Sequence, residues 1–340
     1  MKLKKWLITT VLSLSLTANM AFAKTITDVK GKMVEIPDQV ERVVDLWHAN
    51  NQVVLLLGGA DKLVGTTNVI KANPWFNAVY PNIKNVPAIN SQNGVQLEEL
   101  LTAKPDVVLV SNKPAQEEVE KAGLKALLIG FQDFDGLKKT VRITADVLGD
   151  KAPTIAEDYI QELDANIQLV NERLKDVPQE KRPSVIHISN GSNLFKIDGG
   201  KSIIGEWVKL AGGHNAFEDQ ANLVEVNIED VLKANPDVII VGSSNADKAV
   251  EQIKADPLWA SVSAVKNGKV FVNPTGTFPW DRYSGEEALQ ILWAAKLFHP
   301  AQFADIDMVA KTQQFYKKYY NYELSKENAE QILKGQNPVQ

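Results

Sequence analysis

Two stretches of the chain repeat one pattern of polar and hydrophobic positions. Residues 96–111 read QLEELLTAKPDVVLVS, and residues 227–242 read NIEDVLKANPDVIIVG. Each begins as a short amphipathic helix, turns at Pro-Asp and continues as an unbroken apolar run. Runs of Val and Ile without polar alternation are typical of strands buried on both faces of a parallel sheet. Because the copies lie 131 residues apart, the pattern predicts two similar α/β lobes.

Further apolar runs predict the other strands of the two lobes. Helical patterns alternate with these runs, as they do in α/β sheets. Between the lobes, apolar residues recur every three or four positions from Pro153 to Val177, which predicts one long amphipathic helix. Residues 286–333 are also expected to be helical, and we interpret their dense aromatic residues as packing groups. The additional strands are expected at residues 42–46, 63–67, 126–130, 184–189 and 269–272.

The N-terminus carries the features of a secretory signal peptide. Three lysines precede an apolar run from Trp6 to Leu16, and Ala21-Phe22-Ala23 forms a small-residue cleavage site. The run is shorter than the roughly 20 apolar residues that a membrane-spanning helix needs, which disfavours an anchor. We therefore expect cleavage after Ala23 and export to the periplasm.

Composition and charge limit the classes of function. The chain has no cysteine, so thiolate metal sites, cysteine nucleophiles, disulfides and a lipid-modified cysteine are excluded. The formal net charge is −5, which makes nucleic acid an improbable partner. No nucleophile elbow, P-loop or dinucleotide-binding glycine pattern occurs, so we expect no enzyme and no prosthetic group. A periplasmic α/β hydrolase is the alternative from another class.

Several short segments follow one another along the chain in a characteristic order, together with the long helix. They are Arg42-Val43-Val44, residues 57–65 (LGGADKLVG), Leu97-Glu98-Glu99-Leu100, Lys104-Pro105-Asp106, Glu229, Asn235-Pro236-Asp237, residues 268–271 (GKVF) and residues 282–289 (RYSGEEAL). In this order they resemble the class III substrate-binding proteins of ABC importers, which capture iron–siderophore complexes, cobalamin, haem and some metal ions or oxyanions. The resemblance covers nearly all of the mature chain.

The resemblance implies an α/β fold of two Rossmann-like lobes joined by one long α-helix, with the ligand cleft between the lobes. It also implies a monomeric carrier that delivers a small metal chelate to an ABC permease dimer in the inner membrane. The expected segments are a signal peptide (1–23), an N-terminal α/β lobe (24–140), a helical region with the linking helix (141–179), a C-terminal α/β lobe (180–300) and a C-terminal helical segment (301–340).

Residues at the ends of the predicted strands are the candidates for ligand binding, because ligands of open α/β sheets bind beyond the carboxyl ends of the strands. His48 is also a candidate metal ligand. The alternatives are that Trp47 packs and His48 caps a strand, and that Arg282 pairs with Asp281 or Glu286 within the chain. The candidates are Trp47, His48, Asn51, Thr67, Asn112, Asn190, Trp280, Arg282 and Tyr283.

Glu98 and Glu229 occupy equivalent places early in the two repeated helices. Acidic residues in a first helical turn complement the helix dipole, but the family resemblance implies that one such acid in each lobe docks onto the permease. For the ligand we expect a ferric siderophore first. Free or histidine-chelated nickel or cobalt follows, then a molybdate-type oxyanion, then cobalamin or haem.

Overall fold

The computed structural model describes residues 23–91, 94–242 and 244–339. The predicted signal peptide lies outside the described residues except for Ala23, which is the first residue of a strand. None of the helices within the described residues combines the length and apolar character needed to cross a membrane.

The strands belong to two larger sheets and two hairpins. They are β1 (Ala23–Thr27), β2 (Met33–Pro37), β3 (Val43–Asp45), β4 (Leu63–Gly65), β5 (Asn90–Ser91), β6 (Gly94–Val95), β7 (Val107–Val110), β8 (Ala126–Leu128), β9 (Ser184–Ile188), β10 (Lys196–Ile197), β11 (His214–Asn215), β12 (Val224–Glu225), β13 (Val238–Val241) and β14 (Val270–Val272).

The helices cover the faces of the sheets and form the connection between them. They are α1 (His48–Leu56), α2 (Asn68–Ala72), α3 (Pro74–Val79), α4 (Leu97–Ala103), α5 (Lys113–Lys121), α6 (Phe134–Leu148), α7 (Ala152–Leu174), α8 (Ile203–Leu210), α9 (Ile228–Ala234), α10 (Ala246–Ala255), α11 (Ser263–Lys266), α12 (Glu287–Phe298), α13 (Met308–Tyr320) and α14 (Lys326–Leu333).

The repeated segments occupy equivalent positions in the two sheets. In the first lobe β7 lies between β3 and β8, and all of these pairs are parallel. In the second lobe β13 lies between β9 and β14, again in parallel. Every residue of β7 and β13 is buried, as expected for central strands of parallel sheets. The prediction of two related α/β lobes is therefore confirmed.

The Pro-Asp turn of the repeat joins each helix to the neighbouring strand. Lys104 and Asn235 end the helices α4 and α9 in the left-handed conformation, with φ of 45° and 41°. One residue past the proline, the Asp106 carboxylate accepts the Arg42 N–H at 2.9 Å, and the Asp237 carboxylate accepts the Ser184 N–H at 2.9 Å. The sequence repeat thus encodes a hydrogen bond from the turn to the start of β3 in the first lobe and of β9 in the second.

The second sheet is mixed rather than wholly parallel. β10 pairs antiparallel with both β9 and β12. β10 and β12 have two residues each, which is too short to produce a periodic signal in the sequence. The hairpin of β1 and β2 at the start of the first lobe is likewise absent from the prediction. All predicted strands are present, most of them one or two residues shorter than the apolar runs.

The long helix α7 connects the lobes, as predicted, and ends three residues before the expected position. Its 23 residues span about 34 Å. It packs against α6 of the first lobe and α12 of the second. Asn166, which is buried on this helix, donates to the Ala288 carbonyl of α12 at 2.9 Å. A rigid connection with contacts on both sides favours a fixed arrangement of the lobes.

The aromatic residues of the C-terminal helices pack, which confirms their interpretation from the sequence. Phe315, Tyr316, Tyr319 and Tyr320 are all buried on α13. This helix contacts α1 of the first lobe as well as α12 and α14.

We expect the core face of α7 to control the stability of the whole protein. Leu163 is fully buried there, so Leu163→Ala should lower the free energy of unfolding by about 2–5 kcal/mol. Leu258, which is 61% exposed, is the matched control, and Leu258→Ala should change it by less than about 0.5 kcal/mol. Urea denaturation measures both. Equal effects of the two variants would contradict this assignment of the core.

Candidate functional site

A cavity of about 850 Å³ lies between the two lobes. Its lining comes from α1 to α3 of the first lobe, from the start of α10 in the second lobe, from the loop before α12 and from the chain after α14. The lining residues are His48, Val69, Ala72, Asn73, residues 244–248, Thr275, Phe278, Pro279, Arg282, and residues 335–337. A volume of this size is typical of small-molecule sites.

A turn after β3 brings His48 to the cavity and places Trp47 beside it. The buried Asp45 carboxylate accepts the Trp47 N–H at 3.1 Å and the Asn50 amide at 2.8 Å. Burial raises the pKa of Asp45 to about 8, against the opposing effect of these two hydrogen bonds. The turn makes Trp47 the residue before α1 and His48 its first residue.

His48 is a half-buried, neutral imidazole. Its ring centre lies 5.6 Å from that of Phe278, which also lines the cavity. Burial lowers the pKa of His48 below its ordinary value, so the ring is uncharged at neutral pH. Within the residues that the structure describes, its ring nitrogens form no hydrogen bond. A free imidazole nitrogen at a cavity wall can ligate a metal or bind a polar ligand group.

Trp47 forms an aromatic cluster beside the cavity. Its ring lies 5.5 Å from Phe131 and 5.8 Å from Tyr283, measured between centres. Phe131 and Tyr283 also contact each other at 5.6 Å. Tyr283 has a left-handed φ of 53°, which turns its ring towards the first lobe while the preceding Arg282 remains with the second. Trp47 and Tyr283 therefore pack next to the lining residues His48 and Arg282.

Arg282 belongs to a buried cluster of four charged or ionisable groups. Its Nη2 donates to Asp198 at 2.7 Å and to Asp281 at 3.2 Å. His187 of β9 lies between the same carboxylates, with Nδ1 2.8 Å from Asp198 and Nε2 3.0 Å from Asp281. The predicted alternative of an ion pair within the chain is thus present for Asp281. Glu286 is not part of this cluster.

The charges of the cluster stabilise one another. Burial alone would raise the pKa values of Asp198 and Asp281, but His187 and Arg282 hold both below the ordinary value. Burial would lower the pKa of His187, and its hydrogen bonds to the two carboxylates raise it instead. Buried charges require such pairing. The arginine is consequently fixed in position, and its Nη1 is the nitrogen without a protein partner among the described residues.

Trp280 lies behind the site rather than on its wall. It is fully buried, and its indole N–H donates to Glu286 at 2.5 Å. Glu286 also accepts hydrogen bonds from Thr277 and from the hydroxyls of Tyr316 and Tyr320. Burial raises the pKa of Glu286 to about 7, although these four donors favour its ionised form. The hydrogen bond from Trp280 to Glu286 therefore links the loop before α12 to the C-terminal helices.

Four other predicted residues do not line the cavity. The Asn51 amide is buried and donates to the Asp45 and Trp47 carbonyls, and the buried Thr67 caps α2. Asn112 is exposed and caps α5 by accepting the Ala115 N–H at 2.9 Å. Asn190 accepts the Ser192 N–H within its own loop. The expectation that ligands bind past the strand ends indicated the edge of the sheets where the cavity lies. It did not indicate which side chains at this edge point into the cavity.

The sequence analysis did not identify several residues that line the cavity. Asn73 and Asn245 each come directly before a helix, a position where asparagine is common without any role in ligand binding. Gln336 and Asn337 lie far from every strand end in the sequence, and only the tertiary fold brings them to the cavity. Within the described ranges, no group of three or more acidic or histidine side chains could hold a metal ion. His48 thus belongs to no such group.

The two candidate docking residues are exposed. Glu98 lies in the first turn of α4 and Glu229 in the first turn of α9. One helical turn further along, the equivalent Leu101 and Leu232 are 48% and 38% exposed. Each lobe thus presents a carboxylate and a leucine on the same helix.

Comparison with known proteins agrees with this architecture. The sequence profile described as "Periplasmic binding protein" matches residues 43–275. The molybdate-binding protein MolA of Haemophilus influenzae is 30% identical over 357 aligned positions, which cover 97% of this chain and 99% of the relative.

Solved structures share the fold. The structure of Haemophilus influenzae MolA bound to molybdate has a TM-score of 0.79 and 25% identity, and the alignment covers 89% of this chain and 99% of that one. Helicobacter pylori CeuE in its Ni–His complex has a TM-score of 0.74 and 19% identity, with 92% and 99% covered. The likeness to CeuE, at this low identity, shows a shared fold and nothing about the ligand. The chain belongs to the periplasmic binding protein family, whose members are substrate-binding components of ABC importers, carry no prosthetic group and are not enzymes.

Proposed function

We propose that this protein captures a compact metal complex, of the iron–siderophore or histidine-chelate type, and delivers it to an ABC permease in the inner membrane. The observation that carries the proposal is the neutral imidazole of His48 in the cavity, which lacks a protein partner among the described residues. A single imidazole cannot hold a metal ion by itself, so the complex would bring its other ligands. The cavity of about 850 Å³ has room for them.

Arg282 supports an anionic group on this complex, such as one carboxylate. Its Nη1 is available to a ligand, whereas Nη2 is committed to Asp198 and Asp281. Two carboxylates already balance its charge, and Lys248 and Asp247 of the cavity lining carry opposite charges. The site therefore has little net positive charge for a highly anionic catecholate complex. A bidentate hydrogen bond from Nη1 and Nη2 of Arg282 to the ligand would require one of these ion pairs to break.

A molybdate-type oxyanion is the second candidate. It is favoured by the relative that is 30% identical over 97% of this chain, a molybdate-binding protein. His48 and the Arg282 Nη1 would both act as hydrogen-bond donors to an oxyanion. The two candidates therefore assign opposite roles to the imidazole, either as a metal ligand or as a proton-bearing donor.

We propose that the mature protein, starting after Ala23, acts in the periplasm and contacts the permease through Glu98 and Glu229. Both carboxylates are exposed at equivalent positions of the two lobes, and such a pair suits a dimeric partner. The exposed Leu101 and Leu232 would add an apolar contact beside each carboxylate.

The affinity for the ligand should depend on His48 and Arg282. His48→Ala and Arg282→Lys should each weaken binding of a Ni(II)–histidine complex or a ferric hydroxamate siderophore about 10- to 100-fold, because an interaction with a charged group contributes about 1.5–3 kcal/mol. Isothermal titration calorimetry measures the dissociation constants. Asn112→Ala and Asn190→Ala remove strand-end amides that do not line the cavity and should leave affinity unchanged. Unaltered affinity in both site variants would refute the proposed site.

The pH dependence of binding should separate the two candidate ligands. The pKa of His48 lies below the ordinary value of about 6.5 because the ring is partly buried, so the ring is neutral at pH 7.5 and gains a proton only as the pH falls below that ordinary value. Affinity for a metal complex should fall over this range because protons compete for the ligating nitrogen, whereas affinity for sodium molybdate should rise because the ring gains charge. His48→Gln should abolish either trend. A trend that persists in this variant would exclude His48 as its source.

If Glu98 and Glu229 contact the permease, changing both should abolish transport and leave ligand binding intact. Glu98→Lys combined with Glu229→Lys should reduce the metal content accumulated by importer-containing cells to that of cells lacking the protein, while calorimetry shows unchanged ligand affinity. Glu117→Lys with Glu251→Lys, at exposed sites on α5 and α10, makes the same charge change elsewhere and should transport normally. Normal accumulation with the first pair would refute the docking role.

A further inference from the structure

The chain after α14 leaves the second lobe through a tight turn at Gly335. The N–H groups of Gly335 and Gln336 bond back to the carbonyls of Ile332 and Gln331, each at 2.9 Å. Gly335 has a φ of 67°, a conformation that favours glycine. A Cβ there would lie 2.6 Å from Val272 Cγ1 and 2.8 Å from the Asn273 carbonyl oxygen. Glycine therefore lets the chain pass directly over the end of β14.

Immediately after this turn, the chain is bound to the first lobe. The indole N–H of Trp75, a residue of α3 that is 1% exposed, donates to the Gln336 carbonyl at 2.8 Å. Residues 337–339 continue along α3 and share a surface cavity with Pro74 and Asn77. Because burying an indole N–H without a partner is costly, this hydrogen bond holds the tail on the first lobe. Residues 334–339, the C-terminal strap, thus span from one lobe to the other.

The strap forms one side of the cavity between the lobes. Gly335, Gln336 and Asn337 line the same space as His48 and Arg282. The side chains of Gln336 and Asn337 are exposed. Within the described part of the chain, neither side-chain amide forms a hydrogen bond. Each can donate two N–H groups and accept through its carbonyl oxygen.

We propose that the C-terminal strap ties the two lobes together across the cleft and presents the amides of Gln336 and Asn337 to the oxygen atoms of the bound ligand. The ligand contact rests on the proposed role of the cavity, whereas the tie between lobes does not. Neutral amide donors suit a ligand group that carries at most a small negative charge, such as a carboxylate, hydroxamate or oxyanion oxygen. They add polarity beside Arg282 without adding charge.

The tie between lobes can be tested without any ligand. The chain lacks cysteine, so Glu117→Cys and Gln252→Cys, at exposed positions of α5 and α10, accept a pair of spin labels specifically. Pulsed electron spin resonance should give a broader and longer distance distribution when Trp75→Phe removes the indole donor, or when residues 336–340 are deleted. Lys334→Ala, within the strap but outside the cavity lining, is the control.

Trp75 is buried, so Trp75→Phe could impair folding. The deletion leaves Trp75 in place and therefore tests the tie without altering the core. If the deletion variant and the protein with the unaltered strap give the same distance distribution, the tie is overturned.

The ligand contact predicts a loss of affinity. Gln336→Ala with Asn337→Ala should weaken binding of the Ni(II)–histidine complex, the ferric hydroxamate or molybdate, whichever the unaltered protein binds, about 5- to 50-fold. Lys334→Ala should bind normally. Full affinity in the double variant would overturn the contact. If the unaltered protein binds none of the three probes, the proposed ligand class and the contact that rests on it are both refuted, and the spin-label distances still decide the tie.

Discussion

The pairing of buried charges in the second lobe is the constraint on which the geometry of the cavity depends. The side chains of Asp198, Asp281 and His187 are fully buried and that of Arg282 is 14% exposed at the cavity, so the charges of this cluster are balanced within it. Burying an ion pair is seldom a net gain in stability compared with apolar packing, but removing one partner leaves an isolated buried charge. The cluster therefore fixes the position of the loop before α12 more than it stabilises the fold.

This loop is also bound to the first lobe and to the C-terminal helices. The Gln52 side chain of α1 accepts the Gly285 N–H at 2.8 Å and donates to the Tyr320 hydroxyl. Asn73 donates to the Thr277 carbonyl at 3.0 Å. Together with Glu286, these contacts place Phe278, Arg282 and Tyr283 relative to both lobes at once. A site built this way is preorganised, which reduces the entropic cost of ligand binding.

Membership of the periplasmic binding protein family accounts for the overall plan but not for the ligand. The relatives and solved structures include proteins described with molybdate and with Ni–His, and they share one fold with this chain. In this chain the cavity wall combines one uncharged imidazole, one arginine with a balanced charge, the opposite charges of Asp247 and Lys248, and the exposed amides of the strap. This set supports the proposed compact ligand of low charge.

The sequence by itself determined the two lobes, the central strands β7 and β13, the linking helix α7 and the edge of the sheets at which the cavity lies. These features depend on local periodicity and on a repeated turn, both of which can be read along the chain. It also selected Trp47, His48, Arg282 and Tyr283, because each follows a strand or belongs to the loop before α12.

Only the tertiary structure decided which candidates face the cavity. Asn51, Thr67 and Trp280 are turned inwards because buried backbone and carboxylate groups require their hydrogen bonds. His187 and Asp198 are close in sequence, yet their pairing with Asp281 and Arg282 crosses more than 80 residues. The strap reaches the site from the far end of the chain through one glycine turn and one indole hydrogen bond. Such long-range pairings leave no periodic pattern, since burial and charge balance act between residues that are neighbours only after folding.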